Sequence, residues 1–79
     1  MSYSVRYQVN LEDIPEDARP EIVRTFQQIS EVVGTVPLTS PFWSSMKESV
    51  LQVDVKGWRL AYRIELKGQL IRVIEAQKL

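Results

Sequence analysis

Residues 50 to 66 largely alternate between apolar and polar side chains, an apolar stretch follows to residue 76, and lysine–glycine pairs interrupt the segment twice. Successive side chains of a β-strand point to opposite faces, so a period of two residues predicts strands. Lys56–Gly57 and Lys67–Gly68 match two-residue hairpin turns, where glycine supplies the positive φ angle. We therefore predict an antiparallel meander of three strands, at 50–55, 58–66 and 69–76.

The alternation also assigns faces to these strands. In the middle strand one face carries Trp58, Leu60, Tyr62, Ile64 and Leu66, and the other carries Arg59, Ala61, Arg63 and Glu65. The last strand is mostly apolar on both faces, which is typical of a central strand rather than an edge strand.

The start of the chain predicts a further strand. Residues 2 to 9 alternate, with Tyr3, Val5, Tyr7 and Val9 on one side. Aromatic and β-branched residues suit a half-buried strand. Residues 10 to 16, which are acidic and contain Pro15, are predicted to form a turn.

One amphipathic helix is predicted after this turn. Ile22, Phe26, Ile29 and Val33 recur at helical spacing and form one apolar stripe. Asp17 is the predicted N-cap, Pro20 falls in the first turn, where its missing N–H costs little, and Gly34 ends the helix.

The segment between helix and meander is predicted to be mostly loop. Residues 35 to 41 contain two prolines. Phe42 and Trp43 are expected to close one end of the core, because large aromatic rings stabilise mainly by burial. Residues 44 to 49 fit either a short helical turn or an ordered loop.

Together these elements predict an α+β fold in the order β-α-β-β-β, with one helix packed on one face of a small, twisted antiparallel sheet. The opposite face of the sheet then stays open to solvent. The side chains expected on it are Arg6, Gln8, Gln52, Asp54, Arg59, Arg63 and Glu65.

Composition excludes several classes of function. The 79 residues are expected to form a single domain, and they include neither cysteine nor histidine. The usual general base, thiolate chemistry and the commonest metal ligands are therefore missing, and we predict no metal and no cofactor. A formal net charge of zero disfavours a dedicated nucleic-acid binder. No signal peptide and no membrane span are predicted, which favours a cytoplasmic location.

Gly57, Trp58, Arg59, Leu60, Ala61 and Tyr62 match, residue by residue, a motif of glycine, aromatic, arginine, apolar pair and tyrosine. With this motif and its order of elements, the chain resembles the RelE/ParE superfamily of bacterial toxins over most of its length. The resemblance implies a toxin of a toxin–antitoxin or plasmid-stabilisation system, neutralised by an antitoxin partner. RelE-like members cleave mRNA on the ribosome, whereas ParE-like members bind DNA gyrase. A homodimer through the same surfaces is an open alternative.

The resemblance also points to site residues. Arg59 is the candidate phosphate clamp of an RNA-cleaving site, and Lys78 is the candidate second cation near the family's basic signature. The alternative for Arg59 is a cross-strand ion pair with Asp54 or Glu65. Gln52 and Asp54 stand where active RelE-like members carry lysines, and an aspartate there would repel a phosphate. We therefore predict a toxin-family protein that acts by binding, with an mRNA endonuclease and a non-toxic interaction module as alternatives. Its predicted binding surface comprises Arg6, Gln8, Gln52, Asp54 and Arg63.

Overall fold

The described part of the chain forms four strands and one long α-helix. The computed structural model describes residues 3–37, 39–41, 43 and 49–79. The elements are β1 (Ser4–Tyr7), a 3₁₀ turn (Leu11–Asp13), α1 (Arg19–Gly34), β2 (Leu51–Val55), β3 (Trp58–Glu65) and β4 (Leu70–Lys78). The strands lie in the order β1-β4-β3-β2, and α1 packs on one face of the sheet. The predicted α+β class and order of elements are confirmed.

The sheet is mixed, and not antiparallel throughout as predicted. β2, β3 and β4 form the expected antiparallel meander, and β4 is central, but β1 pairs with β4 in parallel. The reason is the crossover helix, which carries the chain back so that β2 runs in the direction of β1. Two hairpins then reverse the chain twice, so β4 runs in that direction too.

The helix begins at Arg19, one residue later than a cap at Asp17 would place it. The N-cap is Ala18, which offers no side-chain hydrogen bond, so the prediction of Asp17 as N-cap was wrong. The apolar stripe is confirmed, because Ile22, Phe26 and Val33 are buried and Ile29 packs against them. Gly34 is the last helical residue, and Thr35 follows it as the C-cap.

The core lies between α1 and the sheet. The Phe26 ring meets the rings of Tyr7 and Tyr62 edge-on, with centroids 5.9 and 5.3 Å away. Trp43 is buried as predicted; it stacks on Tyr3 at 5.8 Å, and its Nε1–H donates to the carbonyl of Pro37. Phe42 and residues 44–48 lie outside the described residues.

The segment predicted as a polar turn contributes to this core. Ile14 and Ala18 are almost fully buried beside the 3₁₀ turn.

No helix of the described chain is both long and apolar enough to cross a membrane.

The two hairpin turns differ from each other. Lys56 and Gly57 have φ angles of 51° and 79°, so this two-residue turn is as predicted. The second connection is a four-residue loop, 66–69, in which Gln69 and not Gly68 has the positive φ, of 50°. Lys67 and Gly68 are the central residues of a turn closed by the Gln69 N–H, which donates to the Leu66 carbonyl, so the predicted position of the turn is confirmed. The prediction of a two-residue loop with the positive φ at Gly68 was wrong.

Replacing Gly57 by alanine is expected to lower the free energy of unfolding by about 1–2 kcal/mol, because a side chain is disfavoured in a left-handed conformation. Gly68→Ala is the matched control. A Cβ at Gly68 meets only the Cβ of Leu70, at 3.9 Å, and this variant is expected to be neutral or stabilised by up to about 1 kcal/mol. Urea denaturation followed by circular dichroism compares the two, and equal effects would contradict the assigned turn geometry.

Candidate functional site

The face of the sheet opposite α1 carries the charged side chains predicted for it. Arg6, Gln8, Gln52, Asp54 and Arg63 are all exposed. Strand register assigns this surface, called the open face below, to the following residues: Ser4, Arg6, Gln8, Gln52, Asp54, Arg59, Ala61, Arg63, Glu65, Leu70, Arg72, Ile74, Glu75 and Gln77.

Arg59 and Asp54 form a two-pronged ion pair between β3 and β2. Arg59 Nε lies 2.9 Å from Asp54 Oδ1, and Arg59 Nη2 lies 3.1 Å from Oδ2. The two residues are direct cross-strand neighbours, which explains the geometry. Hydrogen bonding from Arg59, helped by its charge, lowers the pKa of Asp54, and the carboxylate raises the pKa of Arg59.

This ion pair limits the hydrogen bonds that the Arg59 guanidinium can donate to a ligand. The guanidinium edge that would clamp a phosphate in two-pronged fashion already faces a carboxylate. A phosphate arriving there would have to displace Asp54 against its negative charge. The alternative predicted for Arg59, a cross-strand pair with Asp54, is the one in the structure.

Lys78 lies on the other side of the sheet from Arg59. It is the register partner of Trp58, which packs against the core, whereas the partner of Arg59 is Gln77. The cause is a β-bulge, at which Tyr62 pairs with Val73 but Ala61 pairs with Glu75. One extra residue in a strand moves every later side chain to the opposite face of the sheet. The bulge therefore separates the two candidate catalytic residues.

The end of β4 is also held in place. Leu79 N–H donates to the Gly57 carbonyl at 2.8 Å, and strand pairing continues to Lys78.

A row of three arginines crosses the open face. Arg6 on β1 pairs in register with Arg72 on β4, and Arg72 pairs with Arg63 on β3. We call Arg6, Arg72 and Arg63 the arginine row. Arg72 Nε lies 2.9 Å from Glu65 Oε2, whereas Arg6 and Arg63 form no ion pair with any part of the chain that the structure describes.

Sequence reasoning assigned no role to Arg72. β4 is apolar on both faces, so its alternation did not say which way Arg72 points. The signal that could have found the pairing of Arg63 with Arg72 is the predicted Lys67–Gly68 turn. A turn centred there places Arg63 opposite Arg72, as the observed register does.

Two grooves flank the helix. One, of about 550 Å³, lies along β1 and is lined by Tyr3, Val5, Tyr7, Val23, Gln27, Ser30 and Glu31. The other, of about 280 Å³, lies beside β2 and is lined by Thr25, Gln28, Ile29, Val32, Val33 and Val53. The Tyr3 hydroxyl is buried and has no hydrogen-bond partner among the described residues.

The open face is a surface of exposed charges, without a cluster suited to metal or acid–base chemistry among the described residues. Among the described residues no three acidic side chains gather as metal ligands. The carboxylates of Asp54 and Glu65 are each engaged by an arginine at 2.9 Å. Exposed guanidinium groups bind anionic groups well but are poor proton acceptors, because they stay protonated.

Comparison with known proteins supports the fold. The chain superposes on a chain of the toxin–antitoxin complex RelBE2 from Mycobacterium tuberculosis with a TM-score of 0.69, 17% sequence identity and full coverage of both chains. The chain therefore shares its fold with that chain of the complex. No family model matches the sequence, and no curated protein sequence matches it.

Proposed function

We propose that this chain is the toxin component of a toxin–antitoxin system, that it acts by binding a macromolecular target, and that an antitoxin partner neutralises it. The observation that carries the proposal is full-length similarity of fold to a chain of a toxin–antitoxin complex. The motif from Gly57 to Tyr62, which pointed to the same superfamily, spans the β2–β3 turn and most of β3.

Binding is favoured over RNA cleavage by the arrangement of charges. Cleavage beside a 2′-hydroxyl needs a group that removes its proton and cations around the developing phosphorane. Here Arg59 faces Asp54, and Lys78 lies on the opposite face. The open face thus supports contact with a partner, in the way that ParE-like toxins act.

The test is expression of the full chain from a tightly regulated promoter in bacterial cells, alone and together with the neighbouring gene. We expect growth arrest that the co-expressed neighbour relieves. Arg24→Ala serves as the control, since this arginine lies on α1 and is paired with Glu21. Failure to arrest growth at verified soluble expression contradicts the toxin role.

A second arm separates binding from cleavage. If the chain acts by binding, mapping of mRNA 5′ ends shows no new cuts, and Asp54→Asn produces none. If Arg59 clamps a phosphate, Asp54→Asn frees the guanidinium and increases codon-specific cleavage, and Arg59→Ala abolishes it. New cuts of that kind would replace the binding proposal by the endonuclease alternative.

A further inference from the structure

The arginine row is a concentration of like charge. Positive side chains directly opposite one another on neighbouring strands repel. Within the described chain only Arg72 of the row forms an ion pair, while Arg6 and Arg63 are exposed and form none there. A ligand that brings negative groups to the row would remove this repulsion.

The distances between the three arginine positions favour a ligand of helical shape. Neighbouring strands lie about 4.8 Å apart, so the three positions span about 10 Å across the sheet. A helix rises about 1.5 Å per residue, which places carboxylates at i, i+3 and i+7 at about 0, 4.5 and 10.5 Å along its axis. An extended segment repeats the same face only every 6.6–6.8 Å or so, and matches less well.

Apolar side chains stand beside the row. Leu70 and Ile74 lie two residues before and after Arg72 on β4 and share its face by alternation. Both are half-buried, and neither belongs to the core under α1. They offer contact to the apolar stripe of an amphipathic helix.

The open face also carries negative charge, which argues against a continuous polyanion. Asp54, Glu65 and Glu75 share the face with the arginines. A nucleic-acid backbone laid along the sheet would meet these carboxylates, whereas a peptide with separate charges can avoid them.

We propose that the arginine row is the docking site of an acidic amphipathic helix of the partner protein. Its axis crosses the strands, with carboxylates at i, i+3 and i+7 paired to Arg6, Arg72 and Arg63. Apolar residues of the helix beside these carboxylates contact Leu70 and Ile74. The identification of the partner as an antitoxin rests on the proposed function.

The experiment measures fluorescence anisotropy of labelled probes with the purified full chain at low salt. One probe is a stapled helical peptide with glutamates at i, i+3 and i+7 beside leucines; a second has the same composition with glutamates at every other position. A ten-nucleotide uridine oligomer is the third. We expect the first probe to bind about tenfold more tightly than either other probe, and to weaken as salt rises.

Paired variants locate the site. Arg6→Gln with Arg63→Gln is expected to weaken the first probe about tenfold, as two charge-assisted contacts are lost. The matched control, Arg24→Gln with Lys56→Asn, removes the same charge away from the row and should change nothing. Circular dichroism and melting confirm that both double variants fold.

Three results would overturn the proposal. They are equal affinity for the two peptides, equal weakening in the control, and tighter binding of the oligonucleotide, which would make the face a nucleic-acid surface. None of these measurements depends on toxicity. Normal growth with intact peptide preference would therefore refute the toxin role alone, and growth arrest without peptide preference would refute only the docking site.

Discussion

Phe26→Ala is expected to lower the free energy of unfolding by about 3–5 kcal/mol. Phe26 is fully buried in the middle of α1, and its ring is enclosed by those of Tyr7 and Tyr62. Alanine would leave a cavity between helix and sheet that these rings cannot fill without losing their own contacts. A chain of 79 residues has a total stability of about 4–12 kcal/mol, so a large part of it would be lost.

Urea denaturation followed by far-ultraviolet circular dichroism measures this loss. Val32→Ala is the matched control on the same helix, because Val32 is 66% exposed, and its effect should stay within about 0.5 kcal/mol. A loss of less than about 1 kcal/mol for Phe26→Ala would show that α1 does not pack on the sheet as described.

Raising the pH above about 10 is expected to lower the free energy of unfolding, because burial raises the pKa of all three tyrosines above the ordinary value. Tyr3, Tyr7 and Tyr62 are neutral when protonated, so the folded state keeps protons that the unfolded state releases. Stability is therefore fully present below pH 10 and is lost as the pH rises through the folded-state pKa values. The slope is at most about 4 kcal/mol per pH unit for three groups, and residual solvent contact reduces it.

Phenolate absorbance and circular dichroism, recorded on the same alkaline titration, check this expectation. The two signals should change together, since the phenolate forms as the core opens. Tyr62→Phe removes one of the three titrating groups and should flatten the loss of stability with pH. Phenolate formation near pH 10 with an unchanged dichroism spectrum would refute the burial of the tyrosines.

Local pattern predicted a large part of this structure. The stripe from Ile22 to Val33 identified the buried face of α1, and alternation around Arg59 separated the two faces of β3. The apolar composition of β4 correctly indicated a central strand. These features depend on side-chain period and on burial, which are properties of neighbouring residues in the chain.

Features that depend on tertiary contacts or on strand register were missed or predicted wrongly. Asp17 satisfies the composition rule for an N-cap, yet the helix begins at Arg19 with Ala18 as its cap. Ile14 looked like part of a polar turn, but the 3₁₀ turn directs it into the core. Lys78 was joined to Arg59 as a candidate site, and the bulge opposite Ala61 and Tyr62 separates them.

The sequence by itself determined the type and order of the elements, the apolar side of each, and a charged face left over once the helix was placed. Tertiary structure alone decided which charges meet. Strand order set Arg6 beside Arg72, and a single extra residue in β4 turned Lys78 away from Arg59. The physical reason is that side-chain period is a local property, whereas register is set by hydrogen bonds between strands far apart in the chain.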